Sequence, residues 1–194
     1  MTPEWIIVIE QVQSHYVDQY ANWVEAQMQR EGPNSPEVAF QLQSESALFG
    51  NLARVDFVQN ASGRSEVVPF WPDYALNFEP VSGQMGEAQI HIEPFVWSQA
   101  VITIEGARWE GVVLDPWFND WFGLESGREA QAAPGQPGGM IHSVSISEDS
   151  LHVDFGSAPP ECLIELVELA ERGGASRLAI SNDSAGEEAA GRKS

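Results

Sequence analysis

The chain has 194 residues, with 9 Lys and Arg against 29 Asp and Glu, a net charge of −20 and a pI near 4.3. Its hydrophobic content of 43% is that of a globular protein, which excludes wholesale disorder, and a single Cys excludes a disulfide scaffold. The charge argues against a nucleic-acid binder, since little here can neutralise a run of phosphates, and it disfavours anionic membrane surfaces.

The N-terminus, Met1-Thr2-Pro3-Glu4-Trp5, has no basic region, and the apolar run Trp5–Ile9 is too short for a signal segment. No stretch approaches 18 continuous apolar residues. With Cys162 unable to form an internal disulfide, a cytoplasmic location is expected. Asn60-Ala61-Ser62 matches the N-glycosylation pattern, a chance match in that setting.

At 100° per residue, Trp5, Ile9, Val12, Tyr16, Tyr20 and Trp23 fall within about 80° of one another, which predicts a helix from Pro3 to about Arg30. Thr2 is placed to cap it, Pro3 suits its first position, and Gly32-Pro33-Asn34 ends it. Ile7 lies off this stripe, and Gln27 interrupts it.

Residues 36–52 fit both periods, strand and helix. A hairpin follows, with strands about 53–58 and 65–70 around Asn60–Arg64. The Pro-rich, aromatic stretch 69–83 reads as a packed irregular loop. Strands are expected at roughly 88–93 and 100–105, and a short helix after Asp115-Pro116. Residues 125–139 have the composition of a flexible linker.

Next, Ile141–Ile146 and Leu151–Phe155 form a hairpin. Pairing Val144 with Val153 and Ile146 with Leu151 puts these four on one face with His142 and Phe155. Ser143, Ser145, His152 and Asp154 take the other face. A helix from Pro159-Pro160 to Gly173-Gly174 and a strand at Arg177–Ser181 complete the pattern, before a polar tail at 183–194. This order is α+β: a mainly antiparallel sheet with a long N-terminal helix and a C-terminal helix packed on one side. One domain over 1–182 is expected, because a second unit after the linker would hold only about 45 ordered residues.

Several residue groups invite chemical readings. His152, Asp154, Ser145 and Ser143 suggest a nucleophilic triad, but same-face residues on a strand sit about 6–7 Å apart and point in parallel, whereas a triad converges. There is no Gly-x-Ser-x-Gly elbow. The expected role is a solvated hairpin face. His91-Ile92-Glu93 with a distant His, either His142 or His152, resembles the two-histidine, one-carboxylate ligand pattern of the 2-oxoglutarate-dependent oxygenases, over those residues alone. That resemblance implies a non-haem iron site on His91, Glu93 and His152 and a metal-dependent enzyme. The family's Arg shortly after the distal His is missing, the next being Arg172.

On the apolar face, His142 reads instead as a hydrogen-bonded core histidine. His15 is expected to be exposed, Asp115 a cap, Asp120 solvated and Cys162 a buried structural thiol. The Trp and Phe residues clustered in 70–78, 95–97 and 109–122 read mainly as core. Pro69-Phe70-Trp71-Pro72 is also a candidate partner-binding patch, most of all if Trp71, Trp117 or Trp121 is exposed.

The leading functional expectation is a non-enzymatic acidic binding protein that engages a basic protein partner. No cofactor is expected, and no nucleic acid or membrane, while a homodimer is compatible with the sequence. In composition the chain is similar to bacterial immunity proteins, inhibitors and adaptors. The alternative is the metal-dependent enzyme.

Overall fold

A computed structural model describes residues 2–43, 46–61, 63–73, 75–124, 135–147 and 149–182. The N-terminal helix α1 spans Glu4–Met28 and buries Trp5, Ile9, Val12, Tyr16 and Tyr20 of the stripe read from the sequence, with Val8, Val24 and Gln27 beside them, while Trp23 is partly buried. Ile7, off that stripe, is exposed. The helix starts one residue later than expected: Pro3 takes the cap position, and no side chain caps the end.

A three-stranded antiparallel sheet follows, ordered β1 (Ser35–Gln41), β2 (Leu52–Ala61), β3 (Arg64–Val67). The segment that fitted two periods thus begins as a strand, and the turn of 3-10 helix at Phe49–Asn51 leads into β2. What decides for β1 is its partner: Pro36 pairs with Phe57 and Val38 with Val55.

The second sheet has six strands: β4 (Val81–Met85), β5 (Ala88–Ile92), β6 (Ala100–Glu105), β7 (Ser143–Ile146), β8 (Ser150–Asp154) and β9 (Arg177–Asn182). Their order is β4-β5-β9-β6-β8-β7. All pairs are antiparallel except β5 with β9, because the last strand inserts between β5 and β6 after crossing over. The register Val144↔Val153 and Ile146↔Leu151 is the one the apolar pattern demanded.

Alternation places Ile90, Ile92, Leu178, Ile180, Ile102, Ile104, Leu151, Val153 and Val144 on one face of this sheet, all buried. Helix α1, a short helix α2 (Asp115–Phe122) and the C-terminal helix α3 (Glu161–Arg172) cover that face, and one contiguous apolar cluster results. Each large side chain so buried contributes about 1.5–3 kcal/mol. The fold is α+β, with both terminal helices where the sequence put them.

Strand β4 corrects the reading of 69–83 as loop throughout. Its sequence, Val-Ser-Gly-Gln-Met, lacks the β-branched density of a strand. Gly83 explains part of that: a Cβ there would lie 2.1 Å from Trp5 Cδ1, so the indole of α1 packs directly on bare backbone. Asp115 is the first residue of α2, not its cap, and makes no capping hydrogen bond. The linker composition at 125–134 and the tail at 183–194 lie outside the described residues. Within the same stretch, residues 135–139 return to the body of the protein, where Gly138 and Gly139 donate backbone N–H groups to Glu37 and Ser157. Among the described residues no helix is long and apolar enough to cross a membrane.

Candidate functional site: a buried histidine among three carboxylates and the pocket beside it

Where the two sheets meet, the chain buries Glu37, Arg54 and His142, the buried charged side chains among the described residues. His142, just before β7, donates its backbone N–H to the carbonyl of Asp154 and accepts from the N–H of Arg54, so β2 lies alongside the entry to β7. Its side chain is 1% exposed. Nε2 is 3.0 Å from Glu37 Oε1, and Nδ1 is 3.3 Å from Asp56 Oδ1 and 3.9 Å from Asp154 Oδ2. A carboxylate only accepts, so a ring facing carboxylates from both nitrogens must donate from both. The geometry is that of an imidazolium.

Electrostatics point the same way. Burial by itself would strip the ring of its proton. The carboxylates of Asp154, Asp56 and Glu37 outweigh that and push its pKa up to about 10.

Glu37 sits in β1 with φ +49°, a left-handed backbone conformation uncommon for a non-glycine residue. The twist turns its side chain into the core, where it is 2% exposed. There Oε1 accepts from Ser157 Oγ as well as from His142, and Oε2 accepts from the Gly138 N–H. Burial raises this carboxyl, but its bonds to the cation, the hydroxyl and the amide win, and its pKa lies below the ordinary value. Its carbonyl accepts from Arg54 Nη1 at 2.6 Å. The Arg54 guanidinium also donates to the Phe122 carbonyl and lies 4.8 Å from the centre of the Phe122 ring.

Asp56, on β2, takes the Phe70 N–H on Oδ2, and its carbonyl takes the Tyr20 hydroxyl. Burial first, then the nearby carboxylates, raise the hydroxyl pKa values of Tyr16 and Tyr20 above the ordinary one. Gly156 permits the closeness of the whole group: its φ is +49°, and a Cβ there would stand 2.3 Å from His142 Cδ2 and 2.7 Å from the Met140 carbonyl.

Asp154 is the outermost of the three carboxylates, 30% exposed against 18% for Asp56. It accepts the Gly156 N–H on Oδ1. Burial raises its pKa to about 6; the His142 cation pulls it down, while Asp56 and Glu37 push it further up. Its outer side lines an open pocket of about 370 Å³ with Ser98, Ser143, Ser145 and His152. The polar hairpin face read as merely solvated is thus one wall of a concavity. The turn Trp97–Gln99 supplies another, and it is folded against β8 by the backbone bond from Phe155 to Trp97.

The pattern His91, Glu93, His152 meets a different fate. His91 Nε2 lies 3.8 Å from Glu93 Oε1, and Ser82 Oγ is 3.1 Å from His91 Nδ1. His152, however, is on β8, three strands from β5 across β9 and β6. At about 4.8 Å per step the separation is about 14 Å. The three side chains are not brought together, and they do not fit an iron site. Among the described residues no group of three or more His, Cys, Asp or Glu side chains could hold a metal ion.

His142 is the hydrogen-bonded core histidine its place on the apolar face predicted. Its partners Glu37 and Asp56 were missed. Glu37 lies in the segment of mixed periodicity, and only a buried acid in a half-buried strand could have signalled it. Cys162 is buried, as expected. Trp117 and Trp121 are buried, donating Nε1–H to the Cys162 carbonyl and to Glu165 Oε2. Trp71 is 71% exposed. Comparison with protein-family models, with curated proteins and with solved structures finds no match to this chain, so the chemistry of its own residues carries any functional reading.

Proposed function

We propose that this chain is a non-enzymatic, cytoplasmic acidic binding protein, of the immunity, inhibitor or adaptor kind, that engages a basic protein partner. The observation that carries the reading is Trp71. It is the most exposed large hydrophobic side chain among the described residues, at 71%, and it follows directly on Phe70, which is locked in place. The Phe70 ring packs on Tyr16, Tyr20 and Trp23 at centroid distances of 5.5, 5.3 and 5.3 Å, and its N–H is held by Asp56. With Pro69 and Pro72 on either side, the indole is presented from a stiff segment, which lowers the entropy lost when a partner covers it. Trp is the residue most often found as an energetic anchor at interfaces.

Charge supports the same reading. A net −20 accelerates encounter with a cationic protein and disfavours anionic competitors. The buried histidine favours binding over catalysis, because both ring nitrogens donate to carboxylates and neither is left to take a proton. Ser157 donates to Glu37, not to the ring.

The test is recovery of the tagged protein from its host's lysate at low salt. A stoichiometric basic protein is expected, released as salt rises and screening shortens the reach of the charges. The Trp71→Ala variant is expected to bind that partner at least tenfold more weakly. Recovery of the protein alone would overturn the reading.

A further inference from the structure

We propose that the pocket between the β7–β8 hairpin and the turn at Ser98–Gln99 receives one cationic side chain, Arg or Lys, of the basic partner, with Asp154 as its counter-charge. The inference rests on the basic-partner reading and assigns it a specific site. Three features of the pocket carry it.

The first is size. At about 370 Å³ it lies at the small end of ligand pockets, which run from about 300 to 1,000 Å³, and has room for a side chain as long as Arg. The second is chemistry. The carboxylate of Asp154 accepts only, the hydroxyls of Ser98, Ser143 and Ser145 accept as well as donate, that of Ser98 being also bonded to Tyr16, and guanidinium and ammonium groups only donate. A donor-only ligand therefore meets acceptors on two walls.

The third is charge balance. The buried group contains three carboxylates, Glu37, Asp56 and Asp154, against two cations, His142 and Arg54. Glu37 is in contact with His142, Ser157 and Gly138. Asp56 is in contact with His142 and Phe70. Asp154 is left with the longest contact to the imidazolium, 3.9 Å, and with the most exposure, on the pocket side. The groups facing it are His142 from the entry to β7, Asp56 from β2 and Glu37 from β1, with His152 on its own strand and Tyr16 from α1. Counted with Arg54, whose guanidinium is held on the Glu37 carbonyl, the described groups leave one negative charge in excess. An entering cation removes it; an anion adds to it, and a neutral side chain leaves it in place.

The experiment titrates 15N-labelled protein with the peptide acetyl-Gly-Arg-Gly-amide, and with the same peptide carrying citrulline, which is neutral but nearly isosteric. The arginine peptide is expected to shift the amides of Ser145 and His152 and to lower the Asp154 carboxyl midpoint by about one pH unit. Its affinity is then about fivefold weaker at pH 5 than at pH 7, since protonation of Asp154 competes with binding. The citrulline peptide is expected to move none of these signals, and Asp154→Asn, checked as folded by its own spectrum, to abolish the arginine response. Equal responses to the two peptides, or an arginine response unchanged in Asp154→Asn, would overturn the inference.

Capture of the partner separates this inference from the reading beneath it. A basic partner lost with Trp71→Ala but retained in full by Asp154→Asn would leave the reading standing and remove the pocket. Absence of any basic partner would remove the reading itself.

Discussion

His142 Nε2 and Glu37 Oε1 lie 3.0 Å apart although 105 residues separate them in the chain, and both side chains are shut away from water. The contact joins β1 of the small sheet to the entrance of β7 in the large one. Around it, Ser157 and Gly138 add donors to the same carboxylate, so a single acid ties β1 to the stretch 138–142 and to Ser157. An ion pair in such a place costs several kcal/mol per charge to desolvate, and it persists because the remaining lone pairs and protons are also satisfied.

Removing one partner therefore leaves the other buried without compensation. Glu37→Ala and His142→Ala are each expected to lower unfolding free energy by about 3–5 kcal/mol. The double variant is expected to cost clearly less than the sum of the two. Urea unfolding of the two single variants and the double variant measures this, and strict additivity would mean the pair is not coupled.

Stability should depend on pH in an unusual direction. His142 rises from an ordinary value of 6.5 to about 10, so its contribution is complete below pH 6.5 and is lost as pH rises through 10. Asp154 rises from 3.8 to about 6, so its contribution is present below pH 3.8 and is lost as pH rises through 6. Glu37 is lowered and acts oppositely: its contribution is present above its ordinary 4.5 and disappears as pH falls further. The melting temperature is therefore expected to be higher near pH 5 than at pH 8. Nitrogen-detected NMR gives a second check, with both His142 ring protons still in place at pH 8. A ring that is neutral at that pH would contradict the arrangement.

Asp154→Asn mimics the protonated carboxyl and keeps an oxygen for the Gly156 N–H. It is expected to leave the protein at least as stable as the parent at pH 7 and to flatten the fall in melting temperature between pH 4 and 6. A loss of stability at pH 7 would show instead that the Asp154 charge is needed by His142.

Gly156→Ala tests the close approach of backbone to imidazole. The added methyl meets the His142 ring at 2.3 Å and the Met140 carbonyl at 2.7 Å, and the residue has φ +49°. Overpacking of this kind costs about 1–3 kcal/mol, with backbone strain in addition. Chemical denaturation is expected to show that loss. At Trp71, by contrast, truncation to Ala should leave stability within about 0.5 kcal/mol of the parent, since the indole packs against little.

The sequence alone determined the elements whose patterns are repeated along their length. Six apolar residues on one stripe specified α1, and strict alternation specified β7 and β8 with their register, because a slip of one residue would turn Val144 and Val153 to water. It also placed His142 on the buried side. Only the tertiary structure decided the rest. Strand β4 exists because β5 offers it an edge and Gly83 offers Trp5 a flat surface, neither of which is visible in five weakly patterned residues. The separation of His91 from His152 follows from β9 inserting between β5 and β6, a choice of strand order that local spacing does not encode. The partners of His142 come from β1 and β2, roughly a hundred residues earlier, and a carboxylate in those strands looks in sequence like any solvated acid. Periodicity reports which side of an element is buried. It carries no information on which two elements meet, and the buried charges of this protein lie where two sheets meet.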